Sequence, residues 1–199
     1  DPEALLLATR KAGAPLVYLA NPDNPMGTWH SGRTISEMIG RLPGGAVLCL
    51  DEAYADFAPD DAIPPLDPAE PRVIRMRTFS KAHGMAGARI GYALGHPDLI
   101  GAFNKIRNHF GVSRISQAGA LAALADHAHL KLVQHRVATS REELARAARR
   151  HGLTPLASAT NFVTMDCGAD GAFARKVLAE LIARDIFVRM PFVAPHDRC

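Results

Sequence analysis

The stretch Ala46-Val-Leu-Cys-Leu-Asp-Glu-Ala-Tyr54 decides the fold. Residues 46–50 are all apolar, too few for an ordinary helix, and the run stops abruptly on a carboxylate at Asp51. An uninterrupted apolar run of this length, without polar alternation, reads as a strand buried on both faces. Working outward, the same texture returns in Leu16-Val-Tyr-Leu19, which breaks at Asn21-Pro22, and again in Val73–Met76 and Ile90–Leu94. Helical segments fall between or beside these strands. Glu3–Lys11 reads as the end of an amphipathic helix stopped by Gly13, Thr34–Arg41 as a short helix, and His96-Pro-Asp98 as the start of a helix reaching about Asn108. Residues 58–71, rich in Pro and Asp, read as a surface loop. Strands alternating with helices predict an α/β protein with a mainly parallel sheet, both of its faces covered. In such sheets ligands sit beyond the carboxyl ends of the strands.

The texture changes from Ser113. Ser113–Asp126 is Ala-rich and helical, and His129–Arg150 reads as one long helix closed by Gly152. Beyond it, Asn161–Met165 and Ile186–Val188 read as strands, while Phe173, Val177 and Leu181 mark one face of a helix. The expected organisation is therefore residues 1–112 in a large domain, 113–150 as connecting long helices, and 151–199 as the start of a small α/β domain.

Composition excludes several classes. With 48% hydrophobic and 22% charged residues, the chain is neither a disordered tail nor a fibre. No apolar run approaches the roughly 18 residues that cross a bilayer, and the opening Asp-Pro-Glu-Ala lacks the basic start of a signal peptide, so a cytoplasmic protein without membrane contact is expected. Cys49, Cys167 and Cys199 are too few and too scattered for a disulfide framework or a CxxC metal site. The net charge is only +3, and the basic run Arg141–Arg150 is interrupted by Glu142 and Glu143, which suits a solvated helix face and not nucleic acid. His127, His129 and His135 do not share a helix face at i and i+2, so no metal is expected.

Four polar segments follow the strands: Asn21-Pro-Asp-Asn-Pro-Met-Gly27, Asp51-Glu-Ala-Tyr54, Thr78-Phe-Ser-Lys81 and Gly87-Ala-Arg-Ile-Gly-Tyr92. Singly, each has an ordinary explanation: a turn, a helix cap, solvated surface. Together they supply the set that pyridoxal phosphate (PLP) chemistry requires. That chemistry needs a lysine amine to hold the aldehyde and a carboxylate to keep the pyridine nitrogen protonated. It also needs donors beside the ring phenolate, and cations, hydroxyls and N–H groups for the phosphate. The candidates are Lys81 for the aldehyde, Asp51 for the ring nitrogen, Asn24 and Tyr54 for the phenolate oxygen, and Thr78, Ser80 and Arg89 for the phosphate.

In order and spacing, NPDNPMG at 21–27, DEAY at 51–54 and SKAHGMAGARIGY at 80–92 resemble the class I/II aminotransferases of PLP fold type I, and among them the histidinol-phosphate aminotransferase branch. The resemblance runs over essentially the whole chain. It implies that residues 1–112 are the C-terminal portion of the PLP-binding large domain. It also implies a homodimer that transfers an amino group between an amino acid, or an amino alcohol phosphate, and a 2-oxo acid. Lys81 would then also shuttle a proton, Asp51 would be buried, Glu52 would point away from the ring as a structural group, and His83 would pack. Arg189, in Phe-Val-Arg-Met-Pro, matches a family position that can face substrate.

Family members are about twice this length, so the chain is expected to be a fragment lacking the N-terminal part and the C-terminal end. It also carries Arg107-Asn-His-Phe-Gly111 where histidinol-phosphate enzymes carry an Arg-x-Pro-Tyr-Asn-like stretch, which leaves the substrate open. Two other readings share the motifs: a PLP-dependent lyase such as a threonine-phosphate decarboxylase, and a non-catalytic PLP-binding or truncated module.

Overall fold

The computed structural model describes residues 1–199. Helix α1 (Pro2–Ala12) starts where Asp1 accepts from the backbone N–H groups of Glu3 and Ala4 and Pro2 occupies the first turn, and it ends at Gly13 in the left-handed region. Strand β1 (Leu16–Ala20) follows, then helix α2 (Gly32–Gly40), capped by Ser31, whose hydroxyl accepts from the Thr34 N–H at 3.1 Å. Strands β2 (Val47–Asp51), β3 (Val73–Thr78) and β4 (Gly91–Gly95) complete a four-stranded sheet in the order β1-β2-β3-β4. The first three are parallel and β4 is antiparallel to β3, so the sheet is mainly parallel, as expected.

The core lies on one face of this sheet. Val17, Leu48, Leu50 and Val73 point from alternate positions of the strands into Leu6 of α1 and Ile35 and Met38 of α2. Leu48 is fully enclosed. Its replacement by alanine is expected to destabilise the protein by about 3 kcal/mol, through lost burial and the cavity left behind. A denaturant titration measures this, and a loss below about 1 kcal/mol would mean that the site collapses around the smaller side chain.

The opposite face is not covered as the sequence suggested. Leu16, Tyr18 and Met76 are exposed on it, because α1 and α2 both lie on the other side and the β2–β3 connection contains only short 3-10 turns, at Ala55–Phe57 and Asp60–Ala62. Helix α3 (Pro97–Ala102) is also shorter than expected. It tightens into a 3-10 turn at Phe103–Lys105, in a segment interrupted by Gly101, Asn104 and Asn108, residues with low helix propensity.

Two long helices follow, α4 (Arg114–Ala125) and α5 (His127–Arg150), the second beginning two residues early because Asp126 accepts from the His129 N–H at 2.9 Å. A second, two-stranded sheet pairs β5 (Thr154–Pro155) with β6 (Met165–Asp166), and helix α6 (Gly171–Ile182) carries Phe173, Val177 and Leu181. The strand predicted at 161–165 is reduced to its last residue. Ser158 and Thr160 take over the local hydrogen bonding: the Ser158 hydroxyl donates to Phe162 O at 2.6 Å, and Thr160 Oγ1 accepts from the Phe162 N–H at 3.3 Å. Nor is 186–188 a strand, since no neighbouring strand pairs with it, and Phe187 stands largely in solvent. No helix is long and apolar enough to cross a membrane.

Candidate active site

The carboxyl ends of β1, β2 and β3 lie side by side, and β4 runs back so that its first residue, Gly91, pairs with Thr78 at the end of β3. All four polar segments therefore emerge at one edge of the sheet. Gly91 permits the close approach there, because a Cβ on it would sit 2.6 Å from Arg77 O.

The loop after β1 is held by a buried asparagine. Asn21 donates to His30 O and Ala62 O at 3.1 and 3.0 Å and accepts from the His30 N–H at 2.7 Å, so its side chain replaces missing backbone partners in the turn. Gly27 closes the loop at φ 78°, and a Cβ there would meet Ser158 Oγ at 2.7 Å. The loop is tied to the later part of the chain by Ala159 N–H donating to Gly27 O and by the Thr164 hydroxyl donating to Pro25 O. This leaves Asn24 free to reach across to β2's extension, where its Nδ2 donates to Tyr54 Oη at 3.1 Å.

Tyr54 is buried. Its ring meets Phe162 edge to face, with centroids 5.4 Å apart, and packs with Phe57, Ala82 and the side of α5. Lys81 Nζ lies 5.0 Å from the centre of the same ring. Asn24, Tyr54 and Lys81 are thus brought together as the sequence suggested.

Asp51, the last residue of β2, is half-buried and not enclosed as expected, because it faces the uncovered side of the sheet. Its Oδ1 accepts from the Ala53 N–H at 2.9 Å and its Oδ2 from Tyr18 Oη at 2.7 Å, and it takes part in no ion pair. Partial burial, reinforced by the hydrogen bond to Asp51, raises the Tyr18 hydroxyl well above its usual range. Burial and the Asp51 charge also raise the neighbouring Cys49 thiol, which stays protonated at neutral pH.

Glu52 points to the opposite face, in keeping with a structural role. It is fully buried and receives Arg75 Nη2 at 2.7 Å and Arg77 Nε at 2.8 Å. His83 packs on Phe79, with ring centroids 5.1 Å apart.

Thr78 and Ser80 are half-buried beside Lys81, with the Ser80 N–H donating to Thr78 Oγ1 at 3.1 Å. Arg89 is exposed and adopts the left-handed backbone at φ 50°, a strained state for a residue with a Cβ. The turn before it is fixed by the Ser116 hydroxyl donating to Ala88 O at 2.7 Å, and its guanidinium makes a single bond, to Ala86 O at 2.9 Å. Arg189 lies beyond α6, exposed, and no hydrogen bond or ion pair joins it to the other candidates.

Sequence reasoning missed Tyr18, Phe162 and the Glu52–Arg75–Arg77 cluster. The alternation of two arginines in Val73-Ile-Arg-Met-Arg-Thr78, both on one face of an otherwise apolar strand, is the signal that demanded a buried counter-charge.

A profile of the aminotransferase class I and II family matches residues 1–196. Histidinol-phosphate aminotransferase 1 of Cupriavidus pinatubonensis is 37% identical over 179 residues, covering 87% of this chain and 47% of that protein. An aromatic amino acid aminotransferase of Corynebacterium efficiens is 38% identical over 177 residues, covering 87% of this chain and 49% of that protein. Among solved structures, histidinol-phosphate aminotransferase from Sinorhizobium meliloti in complex with pyridoxal 5'-phosphate superimposes with a TM-score of 0.97 at 53% identity, over all of this chain and 55% of that one. The chain spans about half the length of the curated relatives it matches. It has the α/β fold of PLP-dependent fold type I enzymes, and it belongs to the class I and II aminotransferase family.

Proposed function

We propose that this chain carries most of the cofactor-binding residues of a PLP-dependent aminotransferase of the histidinol-phosphate type, residues 1–112 belonging to its large domain. The observation that carries the reading is the set of complementary, unspent groups at one sheet edge. Lys81 is half-buried with no ion-pair partner, Asp51 has a carboxylate without a cation, and Arg89 a guanidinium with most of its donors free. These are the chemical complements of an aldehyde, a pyridinium and a phosphate, so the residues fit the group.

Lys81 would hold PLP through its amine, Asp51 would hold the ring nitrogen, Asn24 and Tyr54 the phenolate oxygen, and Thr78, Ser80 and Arg89 the phosphate. When bound, PLP supplies an electron sink for the negative charge that develops at a substrate Cα. The chain's own contribution is orientation and proton transfer. The Asn24–Tyr54 bond fixes the Tyr54 hydroxyl, and Phe162 and Ala82 shield the ring from water. Lys81 Nζ would take up and return the proton that is moved in the transfer. Arg189 is assigned a substrate contact on the resemblance alone. The substrates are an amino acid or amino alcohol phosphate and a 2-oxo acid, and a cytoplasmic homodimer is part of the same proposal.

The test is an assay of the PLP-loaded protein with histidinol phosphate and 2-oxoglutarate, alongside aromatic amino acids and a carboxyl-labelled amino acid phosphate. Amino transfer with histidinol phosphate preferred is the expected result. Preference for the aromatic amino acids would reassign the substrate, and labelled carbon dioxide without keto product would make the protein a lyase.

A further inference from the structure

We propose that Tyr18 is a positioning residue for the cofactor: its hydroxyl, donated to Asp51 Oδ2 at 2.7 Å, aims the carboxylate that holds the pyridine nitrogen. This rests on the PLP reading above. The parallel register places Tyr18 opposite Cys49, so Tyr18 and Asp51 project from the same face of the sheet, two residues apart along adjoining strands. The tyrosine side chain spans that interval and ends on the carboxylate.

Asp51 is held at two points. The Ala53 N–H fixes Oδ1 from the backbone and Tyr18 fixes Oδ2 from the neighbouring strand. A carboxylate oxygen accepts more than one hydrogen bond, so both contacts leave room for a cationic N–H. Without Tyr18 the carboxylate keeps only its anchor at Ala53 and is free to turn about its side-chain bonds. The raised titration of the Tyr18 hydroxyl keeps it a donor through neutral and mildly alkaline pH.

The side chain has no other evident task. Tyr18 is 59% exposed and is absent from the hydrophobic core, whose β1 members are Val17 and the flanking Leu19. Tyr18→Phe keeps the ring and removes only the donor, so the variant is expected to fold.

The experiment titrates apo full chain, wild type and Tyr18→Phe, with PLP and reads bound cofactor by absorbance. The pH dependence of that absorbance is then recorded for each. Tyr18→Phe is expected to bind about tenfold more weakly, the scale of one lost hydrogen bond to a charged group acting through a second residue. The pH midpoint of the cofactor's spectral change is expected to move as well, which a purely structural tyrosine would not cause. A dissociation constant within twofold of wild type, or an unmoved midpoint, overturns the proposal while leaving the PLP reading intact. Absence of saturable binding to the wild-type chain overturns both.

Discussion

Lys81→Ala is expected to lower turnover of the PLP-loaded protein by about ten-thousandfold or more, and to abolish the pyridoxyl mass that borohydride reduction fixes on the wild-type chain. The expectation comes from environment as much as from motif. Of the five lysines, Lys11, Lys105, Lys131 and Lys176 stand exposed, while Lys81 is half-buried against the Tyr54 ring at the sheet edge. Lys81 alone of the five stands beside the Tyr54 ring among the candidate cofactor-binding groups, which favours it over the exposed lysines as the nucleophile. General acid–base transfer alone contributes about 10²–10⁴-fold, and loss of covalent attachment adds to it. Lys81→Arg keeps the charge but cannot form the bond or exchange a proton near neutral pH, so it is expected to lose as much. Reduction followed by peptide mass analysis decides the matter. Label spread over the four exposed lysines with Lys81 untouched would mean that the assigned cofactor site does not work in this chain.

The difference between what was legible in the sequence and what was not follows sequence distance. The apolar runs around Leu48 and Leu50, and the turn and cap residues Asn21, Ser31 and Gly13, act locally, and their reading needed no knowledge of neighbours. The joining of Asn24, Tyr54 and Lys81 was legible because all three follow strands, and parallel strands deliver their carboxyl ends to one edge. Tyr18 was not legible, since its bond to Asp51, 33 positions away in sequence, depends on the register between β1 and β2. Burial of the sheet's second face was read from strand composition, yet coverage depends on where the helices cross, and α1 and α2 cross on the same side. The strand at 161–165 failed for a smaller reason. Its β-forming residues Phe162, Val163 and Thr164 are intact, but the hydroxyls of Ser158 and Thr160 offer the backbone nearer partners than any strand.

Glu52 is where the fold itself is most exposed to a single substitution. Glu52→Ala is expected to destabilise the protein by about 3–5 kcal/mol, the cost of leaving buried charge uncompensated. The carboxylate is fully buried, and both of its oxygens are engaged by Arg75, with Oε2 shared by Arg77. Arg75 keeps one other acceptor, Pro64 O at 3.0 Å, and Arg77 only the distant Asp56 at 3.7 Å. Removal of Glu52 therefore strands a buried guanidinium on a core-facing strand position, where hydration cannot reach it. The pair itself need not be strongly stabilising, because burying both partners costs hydration that their attraction only partly returns. The two effects are separable. Glu52→Met combined with Arg75→Met should recover much of the stability lost in Glu52→Ala, although Arg77 still lacks its main partner in the double variant. Denaturant titrations of the single and double variants measure the difference. A loss below about 1 kcal/mol in Glu52→Ala would show that water or Asp56 replaces the carboxylate. Because Glu52 follows Asp51 directly, and its N–H donates to Met76 O, the variant is also expected to loosen the strand end from which Asp51 projects. Folding stability and cofactor affinity would then fall together, whereas Lys81→Ala should lower affinity and turnover while leaving the denaturation midpoint of the apo chain in place.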